Sequence, residues 1–482
     1  MKVQAALACL APLEGLATAS ADPSWHDLAI SAPQYGRYLY RTATEEPFFW
    51  QANTAWELFH RLNKTSIDFY LRTRAEQGYN VVQTSVIGCV KGATRTNFYG
   101  ELPLNNLDPY SPNEAYFELV DWTVDLAASY GILLAIVPVW GMYVNGGWDN
   151  ATRIFNESNA YDWGKFIGSR YRGLPKILGG DSNAIWSWNM SLVQAAYNEN
   201  PDQDFLSMMA PLEDTSAVWA TMRHGLKDSE REQGYDSMTM FHPTNSWVVK
   251  PEEDRVSVDA VQYGHALLDP AYNFTPISGW DSTKNYENIV EMRDKFTGPV
   301  LDLENHYEGA HFNFNPERPP MGFTYGANSV WQLYEPKADL VSGDLYYNPE
   351  INQNASGTWR EDIYFEGATQ IQYPARELLA SPSNHTGVSV NTYEGTRYIS
   401  VLASKTRDSY FAYTGHGDSF SLQLDNGSGA RSGSAAWFSP RDGQYYASST
   451  VNVPDDKNDT REDFTPPSTG GVDNDWLLVL EF

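Results

Sequence analysis

The stretch Gly298-Pro-Val-Leu-Asp-Leu-Glu-Asn-His-Tyr-Glu-Gly309 passes within one short segment from an apolar run to a polar cluster. A short apolar run bounded by turn residues is the pattern of a buried parallel strand. This one ends in Glu304, Asn305, His306, Tyr307 and Glu308. In a βα barrel, residues just past the C-terminal end of a strand line the mouth where such barrels carry their sites. The reading therefore requires further strands of the same kind, each followed by a helix.

The rest of the chain supplies them. Ile132-Leu-Leu-Ala-Ile-Val-Pro-Val139 is the plainest buried strand, with Trp140 at its end. Asn53-Thr-Ala-Trp-Glu-Leu-Phe59 closes a first strand and carries Trp56. Strands are also expected over Asn80 to Ile87, over Lys176 to Gly180 ending at Asp181, and over Ser237 to Phe241 with His242 at its tip. Val256 to Tyr263 brings Gln262 and His265 to a strand end, and Thr324 to Leu333 brings Tyr325 and Trp331. Between them lie helical spacings, such as Ile67, Tyr70, Leu71 and Ala75 before Gly78, or Tyr116, Val120, Val124 and Ala127 after the capping Asn113. Asp362 to Ala380 reads as a closing helix. About eight strand–helix alternations predict an α/β fold, a (β/α)8 TIM barrel over residues 22–380.

From Ser381 the pattern changes to short alternating strands separated by Gly, Asp and Asn turns, among them Arg397-Tyr-Ile-Ser-Val-Leu402 and Trp476-Leu-Leu-Val-Leu480. Residues 381–482 are predicted to form an antiparallel β-sandwich domain.

Composition restricts the class. A net charge of −28 repels nucleic acid phosphates and suits mildly acidic surroundings. Residues 1–21 read as a signal peptide, with Lys2, an apolar run to Leu10 and the small residues Ala17 to Ala21. Nine Asn-X-Ser/Thr sequons accompany it, so a secreted, extracellular glycoprotein is expected. No later apolar run is long enough to span a membrane. With Cys9 in the signal segment, Cys89 has no partner for a disulfide and is expected to be buried and inert. Gly-X-Ser-X-Gly and phosphate-binding loops are absent. The chain calls for no cofactor, and a monomer is expected.

Two carboxyl groups at barrel strand ends suit hydrolysis of a glycosidic bond, one giving a proton to the leaving oxygen and the other attacking the anomeric carbon or activating water. Asp181, after Gly179-Gly180, and Glu304 are the pair. Glu57 and Glu308 are further carboxylates that could serve as the acid. Trp56, Trp140 and Trp331 offer faces for sugar rings or core packing. His242 and His265 could bond substrate hydroxyls, or, with Glu304, be read as a metal trio. The helical two-His spacing of metalloproteases is missing, and no metal is assigned.

Several motifs in order carry a resemblance. They are Asn53-Thr-Ala-Trp-Glu-Leu-Phe59, Arg74-Ala-Glu-Gln-Gly-Tyr-Asn-Val-Val-Gln83, Pro138-Val-Trp-Gly141, Leu178-Gly-Gly-Asp181, Gln262-Tyr-Gly-His265, Glu304-Asn-His-Tyr-Glu308 and Thr324-Tyr-Gly-Ala-Asn-Ser-Val-Trp331. Together they resemble the apiosidase-type barrel, glycoside hydrolase family 140. Ala436-Trp-Phe-Ser-Pro-Arg-Asp-Gly443 and Asp475-Trp-Leu-Leu-Val-Leu480 resemble the sandwich, named for collagen binding, that often follows it. The resemblance implies Asp181 as acid/base, Glu304 as nucleophile, and apiose in pectic rhamnogalacturonan II side chains as the sugar released. The expected partner is a polysaccharide or oligosaccharide, with Trp56, Trp140, His242, Gln262, His265, Tyr307, Glu308, Tyr325 and Trp331 as the candidate contacts. The chain departs from the family at Asn53, where Asp is usual and a charge at the site rim is expected to be lost. It departs again at Lys176, which interrupts an otherwise apolar strand.

Overall fold

The computed structural model describes residues 25–32, 36, 38–89, 91–146, 151–182, 215–243, 256–262, 292, 296–304, 359–364, 366–374, 385–387, 393, 397–424, 429–455, 460–471 and 474–482. The chain enters through a small antiparallel sheet of β1 (Ile30–Ser31), β2 (Leu39–Arg41) and β3 (Pro47–Phe48). Before it, the short 3₁₀ turn Trp25–Leu28 hangs on the Arg172 carbonyl through the Trp25 indole N–H, at 3.2 Å.

The α/β barrel follows. Its described strands are β4 (Ala52–Thr54), β5 (Val81–Ser85), β6 (Leu133–Val137), β7 (Lys176–Ser182), β8 (Thr239–Pro243), β9 (Asp259–Gln262) and β10 (Val300–Glu304). β4 to β8 pair in sequence order, each parallel to the next. β9 and β10 are parallel, and Ser257 N–H donates to the Thr239 carbonyl at 2.8 Å, joining them to β8. Every residue of β6 is buried, which is why Leu133-Leu-Ala-Ile-Val137 carries no alternation: one face meets the barrel interior and the other the helices. Each buried Leu, Ile or Val there contributes about 1.5–3 kcal/mol over an exposed one.

The helices obey local signals. The helix Lys64–Glu76 starts at Asn63, whose side chain accepts the Ser66 N–H. The helix Glu114–Ser129 starts at Asn113, which accepts from Ala115 N–H, and its face Tyr116, Val120, Val124 and Ala127 is buried as the spacing requires. The helices Ala160–Arg170 and Ser216–Arg231 pack beside one another.

Two expectations are corrected here. Asn53 is not at the site rim. It is fully buried in the barrel wall, where its Oδ1 accepts from Arg74 Nε at 3.1 Å and from the Tyr70 hydroxyl. The closing helix is not continuous from Asp362, because Trp359–Asp362 and Glu366–Gln370 are separate short helices. The Ile363 carbonyl accepts instead from Arg74 Nη1 (3.0 Å) and Gln77 Nε2 (2.8 Å), tying the closing segment to the first long helix.

The C-terminal domain comprises β11 (His385–Gly387), β12 (Ile399–Ser404), β13 (Ser409–Thr414), β14 (Phe420–Leu424), β15 (Arg431–Ser439), β16 (Gln444–Val453), β17 (Thr460–Phe464) and β18 (Trp476–Glu481). Six strands pair antiparallel in the order β11-β12-β13-β18-β15-β16, and β14 pairs with β17. One face of the large sheet, with Trp437, Leu478 and Leu480, packs with Leu422 and Leu424 of the second sheet. The other face, Phe411, Tyr413, Phe438, Leu477 and Val479, packs with Tyr373 of the barrel's closing segment. Both faces of β18 are therefore covered, which explains its unbroken apolar run. β16 and β17 escape sequence reading because their side chains are mostly polar and exposed.

Candidate active site

Both candidate carboxylates occupy strand ends that have slipped register. In β7, Leu178 pairs with Phe241 and Ser182 with Pro243, so Gly179, Gly180 and Asp181 stand against the single residue His242. In β10, Asp302 pairs with Val261 and Glu304 with Gln262, leaving Leu303 as the extra residue. Such bulges re-aim the side chains that follow them and are common beside active sites.

The first bulge depends on its glycines. Gly179 has φ +98°, and a Cβ there would lie 2.4 Å from the His242 carbonyl oxygen. Gly180 has φ +52°, and its Cβ would lie 3.0 Å from the Trp140 ring. The Gly141 N–H donates to the Gly180 carbonyl at 2.8 Å, which fastens the bulge to the end of β6.

Glu304 is 5% exposed and its Oε2 lies 3.0 Å from Nε2 of the fully buried His242. The His242 ring meets Trp56 nearly edge-on at 5.4 Å between centroids, and Trp140 at 5.9 Å. Trp56 and Trp140 meet each other at 5.0 Å, again edge to face. Both tryptophans are 1% exposed, so their rings pack with each other and with His242. Their indole N–H groups have no hydrogen-bond partner among the described residues.

Glu57 faces a different set of groups. Its Oε1 accepts from the Cys89 thiol at 3.5 Å, and its Oε2 lies 3.8 Å from His60 Nδ1. His60 Nε2 is 3.0 Å from the Tyr116 hydroxyl, which donates to the Val86 carbonyl at 2.7 Å. Burial pushes His60 below its ordinary pKa, against the pull of the Glu57 charge. Cys89 is buried in this cluster.

Of the other predicted contacts, Gln262 ends β9 beside Glu304 in the ladder. His265, Tyr307, Glu308, Tyr325 and Trp331 lie outside the described residues. Among the described residues, no cluster of His, Cys, Asp and Glu is arranged to hold a metal ion. None of their helices is long and apolar enough to cross a membrane.

Sequence reading assigned no role to Gln83 or Asp302, although both lie next to Glu304 in space. Gln83 Nε2 donates to the Leu303 carbonyl at 3.0 Å, and Asp302 Oδ1 accepts the Glu304 N–H at 3.2 Å. For Asp302 the signal was a polar side chain between Leu301 and Leu303, and Gln83, beside Thr84 and Ser85, carried none.

The family model described as the apiosidase-like catalytic domain matches residues 33–384. The chain belongs to the apiosidase-like family. It is a glycoside hydrolase. A second model, named for the collagen-binding domain of a collagenase, matches residues 388–481. No curated protein matches the sequence significantly. Among solved structures, a glycoside hydrolase family 5 protein from Bacteroides vulgatus is 20% identical with a TM-score of 0.70, the match covering 95% of this chain and 94% of that one. Another, titled simply a glycoside hydrolase, has the same identity and TM-score over 95% of this chain and 98% of its own. At this identity the likeness shows the fold, a barrel followed by a β domain.

Proposed function

We propose that this apiosidase-like enzyme is secreted and releases apiose from pectic rhamnogalacturonan II side chains. Glu304 acts as the nucleophile and Asp181 as the acid/base of a retaining double displacement. The observation that carries the assignment is the pair of bulges, since Asp181 lies within the register slip of β7 and Glu304 directly follows that of β10. The His242 contact supports the role of Glu304, because a nucleophilic carboxylate must be held at one angle to the anomeric carbon. In the first step Glu304 attacks that carbon while Asp181 protonates the departing oxygen. In the second, Asp181 takes a proton from the water that releases the sugar.

Secretion rests on the signal-like residues 1–21 and the sequons. At the sequon residue Asn156, which is exposed, Oδ1 is occupied by the Ser158 N–H and hydroxyl, an arrangement that leaves Nδ2 for a glycan. The oligosaccharide is the partner, and the chain acts as a monomer.

The test is sugar release from a panel of pectic, arabinan, galactan and β-glucan oligosaccharides, with Glu304→Gln in parallel. Apiose released by the wild type and lost in the variant supports the whole reading. Another sugar, equally lost, replaces the substrate and keeps the nucleophile. Release that survives in Glu304→Gln overturns the nucleophile assignment.

A further inference from the structure

We propose that Gln83 and Asp302 are positioning residues for Glu304, gripping between them the one peptide plane that sets its direction. The Leu303 carbonyl and the Glu304 N–H belong to the same planar unit, whose atoms move together. Gln83 Nε2 donates to the oxygen of that unit at 3.0 Å. Asp302 Oδ1 accepts from its nitrogen at 3.2 Å. A plane held at both polar atoms fixes the backbone rotation on either side of it, and with it the Cα–Cβ direction of Glu304.

The grip compensates for what the bulge removes. Between Asp302 and Glu304, β10 slips against β9, so Leu303 has no ladder partner in that strand. An extra residue of this kind leaves its backbone polar groups unpaired by the sheet, and a buried one costs about 1–3 kcal/mol if nothing replaces the bond. Gln83 supplies the replacement at the Leu303 carbonyl from β5, a strand that pairs with β4 and β6 and is separated from Leu303 by 220 positions of sequence. Asp302 holds the N–H of the next residue, Glu304. The Gln83 side chain is 3% exposed, and its Oε1 has no hydrogen-bond partner among the described residues. The bond to Leu303 is thus what those residues offer to hold this buried amide in place.

The kinetic part of the test rests on the glycosidase reading, and the structural part does not. Gln83→Met keeps the length and removes the donor. Asp302→Ala removes the acceptor, whereas Asp302→Asn keeps an Oδ1 to receive the Glu304 N–H. Expected are a kcat about 100-fold lower in Gln83→Met and Asp302→Ala, the cost of a displacement near 1 Å, with KM within a factor of about two, and near-normal kcat in Asp302→Asn. The double variant Gln83→Met/Asp302→Ala should lose less than the product of the single losses, because both act on one plane.

A purely structural role would lower Tm, leave kcat per folded molecule unchanged and fail to separate Asp302→Ala from Asp302→Asn. That result overturns the proposal. Crystal structures of wild type and Gln83→Met provide the reading that needs no turnover. Displacement of Glu304 from His242 supports the grip, and an unmoved carboxylate overturns it, even if no glycan proves to be a substrate. Should Gln83→Met fail to fold, the same comparison of Asp302→Ala with Asp302→Asn decides.

Discussion

Nε2 of His242 lies 3.0 Å from Oε2 of Glu304, although the two residues come from β8 and β10 with β9 between them. The contact therefore reaches across one intervening strand, and it joins the acidic group to an aromatic cluster. The imidazole is wedged by Trp56 and Trp140, so the orientation of the carboxylate depends on indole rings carried by the ends of the first and third barrel strands. Four strand ends converge on a single carboxylate.

Replacing His242 should therefore uncouple Glu304 from that cluster. His242→Leu keeps the volume and removes the contact, and it is expected to lower kcat about 100-fold while KM changes little. His242→Gln can still reach the carboxylate with an N–H and should recover part of the loss. Steady-state kinetics on the released sugar checks both. Wild-type kcat in His242→Leu would remove the histidine from the site's function.

The glycines before Asp181 give a second prediction. Gly179 and Gly100 both have φ in the left-handed region, at +98° and +88°. A Cβ at Gly179 would press on the His242 carbonyl, whereas one at Gly100 meets nothing within 4 Å. Gly100→Ala should therefore carry only the backbone strain, about 1–3 kcal/mol. Gly179→Ala should cost more and should also lower kcat, since the bulge and Asp181 must shift. Urea unfolding and kinetics on the two variants separate strain from displacement. Equal behaviour of both would show that the close approach at Gly179 is unimportant.

These features mark the limit of what the sequence made legible. Runs such as Leu133-Leu-Ala-Ile-Val137 announce buried strands because both faces are covered, and Asn113 announces its helix because an amide cap is a local event. Glu304 was legible because it terminates such a run. Gln83 was not, because its meaning depends on a carbonyl 220 positions away. The register slips were equally hidden, since a bulge is a relation between two strands and only the Gly179-Gly180 pair hinted at one. Asn53 looked like a rim residue until Arg74 and Tyr70 were found to enclose it.

Lys176 is a further case, and it yields a prediction. It breaks an apolar strand in sequence, yet it is fully buried and bonded to Glu230, the Tyr171 carbonyl (2.7 Å) and Ser237 Oγ (3.1 Å). Burial lowers its pKa to about 8 while Glu230 resists. Lys176→Met leaves the Glu230 carboxylate buried without its cation and should destabilise the barrel by about 3–5 kcal/mol. Lys176→Met/Glu230→Met removes both charges and should recover most of that loss. Denaturant midpoints of the two variants provide the check. If the double variant is no more stable than the single, the cost lies in packing and not in the stranded charge.

Asp259 predicts how stability responds to pH. It opens β9, is 1% exposed, and one of its oxygens accepts the Ala260 N–H at 3.0 Å. Its other oxygen has no partner among the described residues. Burial raises its pKa from 3.8 to about 7, against the small opposing pull of that N–H. Between these values the unfolded chain has released a proton that the folded chain still holds. Stability from this group is therefore fully present below about pH 4 and falls as pH rises through 7. At about 1.4 kcal/mol per pKa unit, the loss is on the order of 4–5 kcal/mol. Asp259→Asn cannot ionise, so it should match the wild type near pH 4 and exceed it by a margin that grows to about pH 7 and then levels off. Urea denaturation of both proteins at several points from pH 4 to 8 measures that margin. A margin that stays constant across the range would mean that Asp259 does not hold its proton in the folded state.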